Sequence, residues 1–178
     1  VLHHRLHRRP AAGRAAAMTT PITPQEPTPD PDRPESSDQA ALYDAVVTEH
    51  AAIYGYGVVS AHSLPTRNDL ISDALALHRD RREAALSMLA AREVEAPLPA
   101  AGYQLPTTVD SPTEAARLAA RIEDDCAVAW RAVLEQSGAE DERKFALTAL
   151  TQCAVLAARW RQVLGAWPVT RAFPGGSE

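Results

Sequence analysis

The stretch EAPLPAAGYQLPTTVDS, residues 95–111, decides how the chain folds because it divides two pairs of helical segments. Its three prolines exclude a continuous helix, since proline lacks the amide donor that a helix interior needs. Fully extended, these 17 residues could span about 56 Å at roughly 3.3 Å per residue. The helical segment before it is only about 39 Å long at roughly 1.5 Å per residue. The stretch can therefore cross a whole bundle and start the next helix parallel to the previous one.

Four long helical segments are predicted around this stretch, each with a recognisable start or stop. Their ranges are about 38–62, 68–94, 111–137 and 139–165. Ser37 or Asp38 is the predicted N-cap of the first helix, and Asn68 is that of the second. The unit S-P-T-E at 111–114 combines a cap, a first-turn proline and a reciprocal Glu at the start of the third helix. Gly165 ends the last helix.

Short connections within each half of the chain predict two antiparallel helix pairs. SLPTRN joins the first two helices at residues 63–68, and SGA joins the last two at residues 137–139. Two antiparallel hairpins linked by one long crossover form the connectivity of ferritin-like bundles. The predicted fold is therefore all-α: a ferritin-like four-helix bundle over residues 38–175, with the crossover between helices 2 and 3.

The segment before the first helix, residues 1–37, is predicted to be a disordered leader. Residues 1–17 hold four Arg and no acidic residue, and they precede Met18, so they could lie upstream of the true start. Six prolines among Thr, Asp and Glu then occupy residues 19–38. Such a composition cannot bury enough apolar surface to offset the entropy of ordering.

Bulk composition narrows the class of protein. The chain has a net charge of −5 despite its basic leader, whereas a nucleic-acid-binding protein carries a basic face, so no nucleic-acid partner is expected. It has no run of 18 apolar residues and no apolar core of a secretion signal, so we expect a cytoplasmic protein with no membrane partner. Cys126 and Cys153 fit neither a disulfide framework nor a zinc ribbon, and two buried thiols are expected.

Polar residues interrupt the apolar face of each predicted helix near its middle. They are Glu49 on helix 1, His78 and Arg82 on helix 2, Glu123 on helix 3, and Gln152 and Arg159 on helix 4. In the first antiparallel pair, Glu49 and Arg82 are expected at the same height along the bundle axis. In the second pair, Glu123 and Arg159 differ in height by about 7.5 Å at roughly 1.5 Å per residue. A long arginine side chain nearly closes that gap. The pattern predicts that these polar groups meet in one buried network.

Four segments of the chain carry a family pattern. They are EHAAIYGYG at residues 49–57, LHRDRREAAL at 77–86, RIEDDCAVAWRAVL at 121–134 and ALTALTQCAVLAARWRQVLGAWPVTRAFPG at 146–175. Together they resemble the actinobacterial ferritin-like domain family of unknown function, over about residues 38–175. The resemblance implies a four-helix bundle with the ferritin-type crossover, in a family whose activity is unassigned.

The di-iron ligand set of such bundles is incomplete in this sequence. That set requires a single Glu on each of two helices and a Glu-x-x-His on each of the other two. Glu49 and Glu123 could take the single-Glu positions, but no Glu stands three residues before any His. Arginines accompany the polar residues of helices 2 and 4 instead, and Arg cannot lose its charge in a protein.

The sequence leaves two functions open. The first is a non-catalytic structural or interaction module without a cofactor. Its buried network would comprise Glu49, His78, Arg82, Glu123, Gln152 and Arg159. The second is a metal-dependent oxidoreductase that binds one Fe or Mn ion through Glu49, His78 and Glu123. By analogy with other such bundles, a homo-oligomer, most simply a dimer, is expected in either case.

Overall fold

Four α-helices account for most of the residues that the structure describes. The computed structural model describes residues 30–176, and this part of the chain contains no strand. Its helices are α1 (Ser37–His62), α2 (Asn68–Ala91), α3 (Pro112–Gln136) and α4 (Glu140–Leu164). The four predicted helices are confirmed, although α2 ends about one turn early. It ends there because Glu93 adopts a left-handed backbone conformation, with φ of 57°.

The capping box predicted at the start of α3 is present. Ser111 Oγ accepts a hydrogen bond from the Glu114 amide (3.2 Å), and the Glu114 carboxylate accepts one from the Asp110 amide (2.8 Å). The predicted caps of the first two helices are wrong. Ser36 occupies the N-cap of α1, and Asn68 lies inside α2 without a capping role. Several adjacent polar residues can serve as a cap, so residue type alone does not select one.

Contacts between α1 and α3 fix their relative direction. Glu49, in the first half of α1, contacts Trp130 in the second half of α3. Tyr56, farther along α1, contacts Glu123, which comes earlier in α3. The two helices are therefore antiparallel neighbours.

Arg92, just beyond α2, ties three helices together at one end of the structure. Its guanidinium donates to Asp38 at the start of α1 (2.6 Å) and to Glu142 at the start of α4 (2.5 Å). α2 therefore runs antiparallel to both α1 and α4. Because α1 is also antiparallel to α3, α2 and α3 run parallel, and residues 95–111 must cross the length of the helices.

The crossover contains no helix and lies against α1. The Tyr103 ring packs on Tyr54 of α1, with 5.2 Å between the ring centroids. Val109 is buried shortly before α3 begins. These contacts anchor a segment that has little regular structure of its own.

Part of the predicted leader also packs against α1. Arg33 makes two hydrogen bonds to Asp44, of 2.8 and 2.7 Å, one from each of two guanidinium nitrogens. The structure thus places residues 30–36 on the helices, which corrects the predicted extent of disorder. The rest of the predicted leader, residues 1–29, lies outside the described residues.

Packing around the core is uneven. Alanine is the commonest core residue, and large side chains such as Trp130, Trp160 and Tyr56 fill the space between the helices. α2 and α4 touch at few points. They leave between them a groove of about 450 Å³, here called the α2–α4 groove, which is lined in part by Asp73, Leu77, Gln152, Val155 and Arg159. None of the described helices has the length and apolar character needed to cross a membrane.

Candidate functional site

The structure brings Glu49, His78 and Glu123 together between α1, α2 and α3. His78 Nδ1 lies 2.6 Å from Glu49 Oε2, and its Nε2 lies 3.1 Å from Glu123 Oε1. All three side chains are fully buried. Because both ring nitrogens face carboxylate oxygens, the arrangement favours a doubly protonated, positively charged imidazole.

A fourth buried side chain, Arg81, completes the charge balance. Its Nε donates to Glu49 Oε1 (2.9 Å), and its Nη1 donates to Gln152 Oε1 (3.3 Å) at the edge of the site. Its Nη2 lies 2.9 Å from His78 Nδ1, the nitrogen that also faces Glu49. We assign the Nδ1 proton to the shorter bond with Glu49. Two cations and two anions then share the centre, so the site is neutral overall.

Aromatic side chains from α1, α3 and α4 extend the network, and two of them donate directly to a carboxylate. Trp130 Nε1 donates to Glu49 Oε1 (2.7 Å), and the Tyr56 hydroxyl donates to Glu123 Oε1 (2.5 Å). Trp160 Nε1 donates to the Tyr56 hydroxyl oxygen (2.9 Å). Within residues 30–176, Glu123 Oε2 has no hydrogen-bond partner. The network therefore joins all four helices.

Neighbouring charges keep Glu49 and His78 ionised despite their burial. Burial raises the pKa of Glu49, but His78 and Arg81 hold that pKa below its ordinary value. Burial lowers the pKa of His78, but hydrogen bonds to Glu123 and Glu49 raise it above its ordinary value. Burial and the charge of Glu123 raise the pKa of Tyr56 well above its usual range, so the phenol keeps its proton.

The site residues do not fit a pair of metal ions. A di-iron site in a ferritin-like bundle uses about four Glu side chains, whereas two Glu are buried among residues 30–176. The Arg81 guanidinium bonds to Glu49, and each His78 nitrogen faces a carboxylate. A permanent cation thus lies beside the acids and opposes the binding of a metal ion there.

Cys126 adds a possible ligand atom next to this centre but is protonated. Ligand atoms of Glu49, His78 and Cys126 lie within 4.8 Å of one another. Cys126 and Cys153 are both free and buried. The hydrogen bond with Cys153, together with burial, raises the pKa of the Cys126 thiol well above its ordinary value. The Cys126 thiol therefore keeps its proton in this arrangement.

Two residues predicted for the network lie outside it. Arg82 bonds to the exposed Glu83 next to it (2.9 Å), and Arg159 is exposed beside the α2–α4 groove. The prediction is wrong for both. A spacing of three or four residues places a side chain on a broad face of the helix, and only part of that face points into the core. Arg81, three residues after His78, points inward, whereas Arg82, four residues after it, points outward.

The sequence prediction missed Arg81 and the indole donors. Trp130 and Trp160 carry a signal that could have found them, because a buried indole N–H needs an acceptor. Both are fully buried, and each N–H reaches the polar centre. No comparable signal distinguishes Arg81 from its neighbour Arg82.

The chain matches one family of sequences over most of its length. The family model described as Domain of unknown function (DUF4439) matches residues 41–178. The chain belongs to this family. It is also similar to the crystal structure of a conserved hypothetical protein, rv2844, from Mycobacterium tuberculosis, with 59% sequence identity and a TM-score of 0.72. That match covers 78% of this chain and 97% of the other. A comparison with curated proteins found no match.

Membership of this family agrees with part of the resemblance seen in the sequence. The family has no assigned function, and the similar structure comes from an actinobacterium. The match extends over nearly the whole of the other chain, so the two chains share their overall fold.

Proposed function

We propose that this protein is a ferritin-like bundle in which a buried ion-pair network takes the place of a metal centre, and that it serves as a non-catalytic structural or interaction module. One observation carries the proposal: the buried Arg81 guanidinium donates to Glu49 at the level where the acids of α1 and α3 meet. The crossover, with α2 parallel to α3, supports the ferritin-like assignment.

The network is suited to fixing how the helices align. Each helix contributes at least one member, so sliding any helix by one turn would break an ion pair or a hydrogen bond of the network. Replacing buried ion pairs by apolar residues often leaves stability unchanged or higher, whereas removing a single partner is costly. We infer that the network here specifies the register of the helices more than it adds stability.

Metal loading tests the proposal. Protein incubated anaerobically with Fe(II) or Mn(II), then desalted and analysed for metal, should retain far less than one equivalent. The matched variants Glu49→Gln and Glu83→Gln, which alter a buried and an exposed acid, should give the same result. Near-stoichiometric metal that disappears only in Glu49→Gln would instead support the oxidoreductase hypothesis, with Glu49, His78 and Glu123 as ligands.

We further propose that the protein forms a homodimer, which rests on fold analogy. Size-exclusion chromatography with light scattering should give twice the chain mass of 19.2 kDa. A mass of one chain across a wide concentration range would contradict the dimer.

A further inference from the structure

A basic pocket lies on the surface between α3, the end of α4 and the C-terminal tail, residues 165–176. It is an open depression with a volume of about 520 Å³. Four arginines line it: Arg117 and Arg121 from α3, Arg161 from α4, and Arg171 from the tail. We call it the arginine pocket. It is separate from the buried network and from the function proposed for that network.

The tail is held in place by contacts that build the pocket. α4 ends at Gly165 in a left-handed conformation, with φ of 63°, and the Ala166 amide donates back to the Arg161 carbonyl (2.9 Å). Farther on, Gly175 lies so close to α3 that an added Cβ would be 2.5 Å from the Ala127 carbonyl oxygen. The tail therefore returns along α3 and leaves its aromatic residue Trp167 beside the arginines.

Charge in the pocket is strongly unbalanced. Asp124 is the only acid among the described residues that line it, and it pairs with Arg161 (2.6 Å) and Arg171 (3.3 Å). Arg117 and Arg121 are exposed at the rim. Arg121 lies 3.9 Å from Asp125, but both side chains are more than 60% exposed, so this pair contributes little. A chain with a net charge of −5 thus concentrates positive charge here.

Trp167 supplies an open aromatic surface at the same place. Its side chain is 89% exposed, whereas Trp130 and Trp160 are buried. An exposed indole can stack on a planar ring, and guanidinium groups bind phosphate oxygens in pairs. Arginine is the side chain best suited to planar, bidentate recognition of phosphate.

We propose that the arginine pocket binds a small ligand carrying both a phosphate group and an aromatic ring, the chemistry of a nucleotide. Arg117 and Arg121 bind the phosphate, and the ring stacks on Trp167. Arg161 and Arg171 stay paired with Asp124 and hold the tail against α3.

Tryptophan fluorescence offers a direct test, because only Trp167 is accessible to a ligand. Titration with ADP should quench the exposed component of the emission, and calorimetry should show saturable binding. Adenosine and pyrophosphate, which each carry one half of the chemistry, should bind at least about tenfold more weakly. Absence of ADP binding, or equal affinity for pyrophosphate and ADP, would overturn the proposal.

Variants separate the pocket from general electrostatics. The double variant Arg117→Gln, Arg121→Gln should weaken ADP binding at least about tenfold, as should Trp167→Leu measured by calorimetry. The control Arg79→Gln, Arg159→Gln removes the same charge from exposed sites on α2 and α4 and should leave ADP binding unchanged. Equal losses in the two double variants would show that the net charge, not the pocket, determines binding. Circular dichroism melts verify that each variant is folded.

Discussion

Arg81 carries a positive charge in the interior of the protein, and its neighbours determine what that charge does. It is 2% exposed and bonds to Glu49 on α1 and Gln152 on α4. A buried charge without its partner is strongly destabilising. The side chain next to it, Arg82, bonds to the exposed Glu83 and to no other side chain among residues 30–176, so these adjacent arginines differ in burial but not in type.

Arg81→Ala should lower the free energy of unfolding by on the order of 3–5 kcal/mol, because Glu49 loses its permanent cation. Urea unfolding followed by circular dichroism measures this loss. Arg82→Ala is the matched control and should change the same quantity by less than about 0.5 kcal/mol. Similar losses in both variants would contradict the central role of Arg81.

His78 predicts how stability depends on pH. Burial lowers the pKa of His78, but Glu123 and Glu49 raise it above its ordinary value of 6.5. Its contribution to stability is therefore complete below that value and is lost as the pH rises through the folded-state pKa. Wild-type protein should lose stability on the alkaline side of neutrality.

Urea unfolding at a series of pH values from about 6 to 8.5, the range in which histidines titrate, measures this effect. His78→Gln should remove most of the alkaline loss while lowering stability at pH 6. His62→Gln, at the end of α1 and outside the network, should retain it. The idea fails if wild type and His78→Gln show parallel pH profiles.

The sequence reveals which residues are polar within apolar faces but not their final orientation. Glu49, His78 and Glu123 stand out because each interrupts the apolar face of its helix. Arg81 and Arg82 cannot be separated in this way, since residues three and four positions after His78 both lie on the same broad helical face. Only packing against α4 decides between them.

Helix α1 contains two glycines whose surroundings differ. A Cβ on Gly55 would lie 2.6 Å from Ile122 Cδ1 of α3, whereas a Cβ on Gly57 would meet nothing within 4 Å. Gly55 thus allows α1 and α3 to approach closely next to the network. Gly57 has no such role in the packing of the described helices.

Gly57→Ala should raise the free energy of unfolding by about 0.4–1 kcal/mol, because alanine favours the helix and restricts the unfolded chain. Gly55→Ala should gain less or lose stability, since the Ile122 side chain must move. Thermal and urea unfolding of the two variants check this order. A larger gain at Gly55 would show that the close approach is unimportant.

Local sequence signals predict that a helix is present more accurately than they predict the residues at which it begins and ends. The reciprocal contacts of Ser111 and Glu114 make the start of α3 readable from four residues. At α1, adjacent Ser36, Ser37 and Asp38 offer equivalent caps, and tertiary contacts such as Arg92 with Asp38 select among them. Such contacts join residues that are far apart in the chain, so local patterns do not contain them.

At the scale of the whole molecule, the connection between the helix pairs determines the topology. Its length and prolines are sufficient to predict a parallel α2 and α3, and the contacts of Arg92 and Tyr56 agree with this arrangement. The uneven spacing of the helices is not predictable from such arguments. It depends on which alanine-rich faces pack closely, and alanine occurs on many faces of these helices.

Spin-label distances test the crossover directly. The pair Gly57→Cys, Arg121→Cys should give a shorter distance than Gly57→Cys, Gln136→Cys, since α1 and α3 are antiparallel. The two label sites on α3 differ by about 22 Å along the helix at roughly 1.5 Å per residue. A simple up-and-down arrangement would reverse the order. The native Cys126 and Cys153 are buried and should not compete for the label.

The α2–α4 groove marks the side of the molecule where two neighbouring helices contact each other least. Gln152 lines this groove and also accepts a hydrogen bond from Arg81, so it stands between water and the charged centre. If α4 moves slightly away from α2, we expect water to reach the Arg81 guanidinium before it reaches the carboxylate of Glu49 or Glu123. We therefore expect local opening along this edge to weaken the hydrogen bond between Arg81 and Glu49 first, and we expect unfolding to begin on that side.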